Sequence, residues 1–230
     1  MLPVLFCVLA LFLQQSLPPA ELVLDNVERM LQGVEDYTVT LEGEVAMEGV
    51  RVPKIVIEMF VKRPDKVHFA STSFSIVPRM GMALDPSELR KKYDCRTVAS
   101  IDTGGLRWYK LRLTAKEPET RVQLTFLYVD AERWTIRRLE ASPYEGRTLS
   151  FDFEYAMVQE TYLLPSRVTA MFGTVGGQSE DGPGTPPNAP SPAPQFREMQ
   201  RMMRSGTIRF VYRDYRVNTG LPDSLFVSPR

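Results

Sequence analysis

The chain has 230 residues, of which 43% are apolar and 24% are charged, so it can form one large domain with a sizeable core. Its 28 lysines and arginines balance its 28 aspartates and glutamates, and the formal net charge is zero. This balance argues against a general nucleic-acid binder, whose affinity depends on excess positive charge, and against a basic surface for anionic lipids.

The N-terminal segment differs in composition from the rest of the chain. Leu2 to Leu13 form an almost unbroken apolar run that is too short to cross a bilayer, and Ala20 follows as a small residue. This pattern is typical of a cleavable signal peptide over residues 1–20, which leaves a single exported domain at residues 21–230. A core helix is the alternative, but the prolines in the segment disfavour it.

Few residues in the chain could carry catalytic or metal chemistry. Removal of a signal peptide leaves Cys95 without a disulfide partner, and His68, the one histidine, alternates outward on a strand. The sequence contains no zinc pattern, no phosphate-binding glycine loop, no HExxH motif and no nucleophile elbow. We therefore predict that the protein is not an enzyme and has no metal and no cofactor.

The first predicted element is a helix over residues 21–32, and Gly33 is suited to end it. After Gly33 the apolar period changes from about 3.6 to 2 residues, which predicts strands with one apolar face. The first two strands form a hairpin, and their apolar faces contain Tyr37, Val39, Leu41 and Val45, then Ile55, Ile57, Met59 and Val61.

The stretch "FVKRPDKVHF", residues 60–69, joins two of these strands. The apolar strand ends in Lys62-Arg63-Pro64-Asp65, which we call the corner, and the chain resumes with Val67 and Phe69 on one face. Proline followed by aspartate favours a chain reversal. Further on, "DPSELRKKY" predicts a short helix with Asp85 as N-cap and Glu88 in a capping box, before a strand that begins near Thr97.

Period-2 alternation recurs along the rest of the chain. We assign Val122, Leu124, Phe126 and Tyr128 to the apolar face of one strand, and Leu149, Phe151, Phe153 and Tyr155 to that of another. Eight or nine such strands, separated by turn signals, predict a mainly β (α+β) fold with one strongly curved antiparallel sheet or barrel. A β-sandwich is the rival architecture.

Residues 173–206 interrupt this series of strands. The segment is rich in proline and glycine and has too few large apolar residues to form a core, which predicts a flexible insertion. It ends in "FREMQRMMRS", which is either an ordinary surface helix or a methionine-rich flap that touches lipid or a partner.

The sheet has one consistently apolar face that must be covered. Helices pack onto this face completely and make a plain core, or they cover it loosely and leave an apolar cavity. Periodicity alone does not separate these two cases.

The corner and its surroundings resemble the LolA/LolB family of bacterial lipoprotein carriers, in which an apolar strand ends in Lys-Arg-Pro before an aromatic-bearing strand. The segments "LRWYKLRLTAKE", "YVDAERWTIRRLEA", "YLLPSRVTAMF" and "YRDYRVNTGLPDSLFVSP" are similar to later strands and to the ending of the lipoprotein-sorting-like group. The resemblance spans residues 21–172 and 206–230. The insertion and the lack of a "DGxxLW" strand mark a divergent relative.

This resemblance implies an incomplete β-barrel whose concave apolar face is lidded by helices, and a monomer that works in the periplasm. It implies lipoprotein or lipid acyl chains as ligand, an inner-membrane donor and an outer-membrane acceptor as partners, and Arg63 as a latch that contacts the lid. An RseB-like envelope sensor that acts by protein–protein contact is the alternative. The expected cavity residues are Val39, Leu41, Ile57, Met59, Val61, Val67, Phe69, Leu124, Phe126, Phe151 and Phe153.

Overall fold

The computed structural model describes residues 16–47, 50–51, 54–70, 84–118, 122, 124–142, 147–174 and 206–227. Most of the predicted signal peptide and most of the predicted insertion lie outside these residues. The described part of the chain contains no helix long and apolar enough to span a membrane.

Two α-helices, one short 3-10 helix and eleven strands make up the described residues. The helices are α1 (Ala20–Met30), α2 (Pro86–Lys92) and the 3-10 helix Asp223–Phe226. The strands are β1 (Asp36–Met47), β2 (Val50–Arg51), β3 (Ile55–Lys62), β4 (Lys66–Ala70), β5 (Tyr93–Thr103), β6 (Leu106–Ala115), β7 (Leu124–Asp130), β8 (Ile136–Ala141), β9 (Arg147–Val158), β10 (Tyr162–Thr174) and β11 (Gly206–Val217).

Ten of the strands form one antiparallel sheet in the order β4-β3-β1-β11-β10-β9-β8-β7-β6-β5, and the short β2 pairs with β1. Within the described residues β4 and β5 are the two edges and do not pair, so the sheet does not close into a barrel. The predicted incomplete, curved β-barrel is therefore confirmed.

The core lies between one face of the sheet and helix α1. Val23, Leu24 and Val27 of α1 are buried against the sheet. Burying one such side chain contributes about 1.5–3 kcal/mol, so this stripe is what holds the helix on the sheet. The face predicted for β1, β3 and β9 is the buried one, and it contains Val39, Leu41, Ile57, Met59, Val61, Phe151 and Phe153.

The face assigned to β7 was wrong. Leu127 and Val129 point into the core, whereas Leu124 is exposed and Phe126 lies on the opposite face under the ammonium of Lys110. Both alternating sets of residues in this strand contain apolar side chains, so the period-2 pattern does not show which set faces the core.

The region around α2 follows the prediction in part. Asp85 is the N-cap, and its side chain accepts a hydrogen bond from the Ser87 backbone N–H at 2.9 Å. Glu88 does not complete a capping box, since its carboxylate pairs with Lys91 at 2.6 Å instead. The following strand β5 begins at Tyr93, directly after the helix and earlier than predicted.

Gly43 of β1 lies against the ring of Phe210, its cross-strand neighbour on β11. A Cβ at this position would lie 2.7 Å from Cε1 of Phe210, and Phe210 is fully buried and cannot move aside. We expect Gly43→Ala to lower the free energy of unfolding by about 1–3 kcal/mol through overpacking.

Chemical denaturation measures this effect of Gly43→Ala. Gly173→Ala is the matched control, because a Cβ on Gly173 of β10 meets nothing within 4 Å. Equal denaturation midpoints for the two variants would contradict the close packing of Phe210 on Gly43.

Residues 218–227, which we call the C-terminal strap, run from the end of β11 to β4. Asp36 accepts hydrogen bonds from the backbone N–H groups of Thr219, Gly220 and Leu221 at 2.9–3.1 Å. The Asn218 side chain accepts from the Glu35 N–H at 2.8 Å and donates to the Gly33 carbonyl at 2.6 Å. The strap thereby holds the connection between α1 and β1.

The far end of the strap is held by ion pairs on the surface. Asp223 lies 2.7 Å from Lys62 Nζ and 2.9 Å from Lys66 Nζ. Hydrogen bonds from Lys62 and Lys66 lower the pKa of the Asp223 carboxyl to about 2. Because this folded-state pKa lies below the ordinary value of about 3.9, the pairs stabilise the fold above about pH 4, and the contribution is lost as the pH falls through about 2.

We therefore expect Asp223→Asn to lower the melting temperature slightly near neutral pH, and the gap to wild type to close as the pH falls from about 4 towards 2. Thermal melts of the two proteins across this pH range measure the gap. A gap that stays constant down to the lowest pH would show that these ion pairs contribute nothing.

Candidate ligand-binding cavity

A cavity of about 260 Å³ lies at the end of the sheet where the corner joins β3 to β4. This volume is just below the roughly 300–1,000 Å³ of typical small-molecule sites. Helix α1 and the segment around Asp85 cover one side, and the ends of β8, β9 and β10 form the other. Its apolar lining is Val27, Met30, Leu31, Val34, Val61, Val67, Leu84, Trp134, Ile136, Phe153, Leu163, Leu164 and Pro165.

Two apolar side chains at the cavity are left partly in water. Met30 at the end of α1 is 37% exposed, and Val67 on β4 is 40% exposed. Methionine adapts to irregular apolar shapes. Exposed apolar groups beside a concave apolar surface indicate a binding mouth more than a packed core.

Arg63 of the corner connects the sheet to both helices. Its Nε donates to Asp85 Oδ2 at 2.7 Å, and its Nη1 donates to the Leu31 carbonyl at 3.0 Å. Leu31 is the C-cap of α1 and Asp85 is the N-cap of α2, so one guanidinium holds the ends of two helices. The Arg63 and Asp85 side chains are only 20% and 9% exposed, which strengthens their attraction relative to a surface pair.

A second arginine joins the two helices to each other. Arg90 of α2 forms ion pairs with Asp25 at 2.6 Å, with Glu21 at 3.5 Å, and also with Glu28, all on one face of α1. The two helices therefore form one cover, which Arg63 ties to the corner.

Four tyrosines lie together near the cavity: Tyr37, Tyr155, Tyr212 and Tyr215. Tyr37 and Tyr155 line it, and the ring of Tyr215 lies 5.5 Å from that of Tyr37. Burial raises the pKa of all four hydroxyls well above the ordinary value. These groups stay neutral and can donate hydrogen bonds.

Trp134 forms part of the opposite wall in a strained conformation. Its φ is +54°, a region that a bulky L-residue rarely adopts. The backbone N–H of Trp134 donates a hydrogen bond to the Asp130 carbonyl at 2.9 Å. The Asp130 carboxylate accepts hydrogen bonds from the backbone N–H groups of Glu132 and Arg133, and together these bonds fix the turn. The indole stacks on Tyr109 at a centroid distance of 6.0 Å.

The expected cavity residues divide into three groups. Val61, Val67 and Phe153 line the cavity, and so does Arg63, the expected latch. Phe69 is half-buried against the core, and the fully buried members form the core beneath: Val39, Leu41, Ile57, Met59 and Phe151. Leu124 and Phe126 lie on the other face of the sheet and are excluded from the cavity.

Sequence reasoning missed the contributions of α1, of the Asp85 segment and of the turn at Trp134. The apolar stripe of α1 and the N-cap at Asp85 were visible signals, but nothing in the sequence placed them opposite Trp134. Cys95 and His68 do not line the cavity. Burial raises the pKa of the Cys95 thiol to about 11, as expected for a structural cysteine.

The geometry defines a class of protein: an open antiparallel half-barrel with a helical cover over an apolar cavity. The chain has the same fold as a LolA superfamily protein from Nitrosomonas europaea, with a TM-score of 0.56 and 11% identity over 92% of this chain and 99% of that one. A putative outer membrane lipoprotein-sorting protein domain from Vibrio parahaemolyticus matches with a TM-score of 0.56 and 12% identity over 90% and 97% of the two chains.

A DUF1329 family protein from Desulfovibrio piger is equally similar, with a TM-score of 0.56 and 13% identity over 92% of this chain and 98% of that one. No family model and no curated protein matches the sequence. The resemblance to the lipoprotein-sorting superfamily is thus confirmed as a likeness of fold.

Proposed function

We propose that the protein is a periplasmic carrier that holds the acyl chains of a lipoprotein or lipid in the cavity. The observation that carries this proposal is the apolar cavity beneath a cover that Arg63 and Arg90 hold in place. The signal-peptide-like N-terminus supports a periplasmic location. The fold shared with a lipoprotein-sorting domain supports the ligand class.

The physical basis is hydrophobic transfer without covalent chemistry. Each methylene moved from water into an apolar cavity contributes about 0.8 kcal/mol, so one acyl chain suffices for useful affinity. The volume suits one chain of moderate length. A lipoprotein with several chains would require the cover to move away from the sheet, and the Arg63 contacts are where that movement would begin.

Binding of the neutral fluorescent probe N-phenylnaphthylamine tests the proposal. We expect the probe to bind to the purified protein and to be displaced by lipids with acyl chains. Val67→Trp should reduce probe binding several-fold by filling the mouth. Val56→Trp is the matched control, because Val56 on β3 is 59% exposed and does not line the cavity.

Native mass spectrometry of the protein purified from the periplasm provides a second readout. A bound mass that matches an acyl lipid or a lipoprotein is the expected result. A wild-type protein that co-purifies with neither and also fails to bind the probe would overturn the carrier proposal and favour a module that works by protein–protein contact.

A further inference from the structure

Tyr37 presents a hydroxyl at the cavity wall. Tyr37 is only 7% exposed and lines the cavity, and its hydroxyl makes no hydrogen bond to any of the described residues. A hydroxyl at a cavity wall that has no partner among the described residues is a place where a ligand atom can form a hydrogen bond.

Tyr37 is held in position by its neighbours. Tyr37 lies opposite Val61 on β3 and Val217 on β11, so its backbone is flanked by a strand on each side. Its ring packs at 5.5 Å against Tyr215, whose hydroxyl donates to the Pro165 carbonyl at 2.7 Å. The hydroxyl is therefore presented by a rigid element, as specific recognition requires.

The charges around the cavity favour a neutral ligand group. The described lining contains the carboxylates of Asp65, Asp85 and Glu88 against the cations of Arg63 and Lys92. Arg63 is already paired with Asp85. A ligand carboxylate or phosphate would therefore meet no surplus of positive charge, whereas a carbonyl oxygen needs only a neutral donor.

Trp134 forms a fixed apolar part of the cavity wall, because the hydrogen bonds of the Asp130 turn hold its backbone in place. Its indole supplies an apolar surface across the cavity from the helical cover, against which a chain can pack.

We infer that the Tyr37 hydroxyl donates a hydrogen bond to the carbonyl oxygen of an ester- or amide-linked acyl chain in the cavity. Tyr37 thereby selects neutral acyl compounds over free fatty acids. This inference rests on the proposed function, because it names the group of the ligand that the same cavity recognises.

Tyr37→Phe removes the hydroxyl oxygen and keeps the ring. Because the hydroxyl bonds to none of the described residues, the melting temperature should stay the same or rise. Affinity for monodecanoylglycerol should fall about five- to tenfold, the loss expected for one hydrogen bond. Affinity for N-phenylnaphthylamine, which has no carbonyl, should not change.

Tyr212→Phe is the control, since Tyr212 is a buried tyrosine of the same cluster that does not line the cavity. Binding is followed by the emission of Trp134 in a Trp108→Phe background, where Trp134 is the one tryptophan of the chain. Wild type should bind monodecanoylglycerol more tightly than decanoate, and the ratio of these two affinities should be smaller in Tyr37→Phe.

Two results would overturn the inference and leave the carrier function standing: wild-type affinity of Tyr37→Phe for monodecanoylglycerol, or tighter binding of decanoate than of monodecanoylglycerol by wild type. Failure of wild type to bind any of the three compounds would overturn both proposals.

Discussion

Asp36→Ala is expected to lower the free energy of unfolding by about 3–5 kcal/mol, the largest effect of any substitution considered. The Asp36 carboxylate is buried and accepts hydrogen bonds from three successive backbone N–H groups of the C-terminal strap. Hydrogen bonds to a charged group contribute about 1.5–3 kcal/mol each, and we expect less than the sum of three because Thr219 and Gly220 are exposed. The strap should detach from the sheet.

Urea denaturation and amide hydrogen exchange measure this effect. Asp36→Asn keeps one acceptor oxygen and should fall between wild type and Asp36→Ala. Asp94→Ala is the control, because Asp94 is an exposed aspartate at the start of β5. If the backbone N–H groups of Thr219 to Leu221 exchange as slowly in Asp36→Ala as in wild type, the carboxylate does not hold the strap.

Loss of the strap should also affect the cavity. Asn218, the first strap residue, binds the Glu35 N–H and the Gly33 carbonyl, and Gly33 follows the end of α1. Loosening this connection would free the end of the helix that carries Met30 and Leu31. We therefore expect weaker probe binding in Asp36→Ala at temperatures where the rest of the protein is still folded.

Arg63→Leu has the second-largest expected effect, a loss of about 2–3 kcal/mol in the free energy of unfolding together with faster ligand exchange. Removing one partner of a buried ion pair costs about 3–5 kcal/mol. The expected cost for Arg63 is smaller, because its side chain is 20% exposed and solvent screens part of the attraction. The variant should still fold, since Arg90 continues to join α2 to α1.

Stopped-flow measurement of N-phenylnaphthylamine release tests the latch role of Arg63. A double-mutant cycle with Asp85→Asn isolates the pair, and the release rate should rise several-fold in either single variant with little further change in the double variant. Arg167→Leu is the control, because Arg167 pairs with Glu154 in exposed positions and its loss should cost less than about 1 kcal/mol. An unchanged release rate in Arg63→Leu would exclude a latch.

Local features of this protein could be predicted from the sequence. The corner at Arg63-Pro64 and the N-cap at Asp85 depend on a few adjacent residues whose backbone preferences are strong. The inward faces of β1, β3 and β9 were also predictable, because one alternating set of residues in each strand is apolar throughout, while the other set is polar in most of β1 and β9 and includes Glu58 and Lys62 in β3. An antiparallel sheet with helices on one face follows from these patterns.

Where both faces of a strand are apolar, the pattern carries no such information. The choice between Phe126 and Leu127 on β7 depends on register with β6 and β8, and a slip of one residue exchanges the two faces. The outward position of Phe126 under Lys110 is a tertiary contact that the local sequence does not encode.

By itself, the sequence determined the mainly β class, the corner and the single apolar face that needs a cover, because these depend on residues close together along the chain. Only the tertiary structure decided that the cover leaves a cavity, and that Arg63, Tyr37 and Trp134 meet around it. The physical reason is that a cavity is a property of how helix α1, the Asp85 segment and the ends of β8 to β10 fit together. That fit brings together residues more than a hundred positions apart in the sequence, which no local period records.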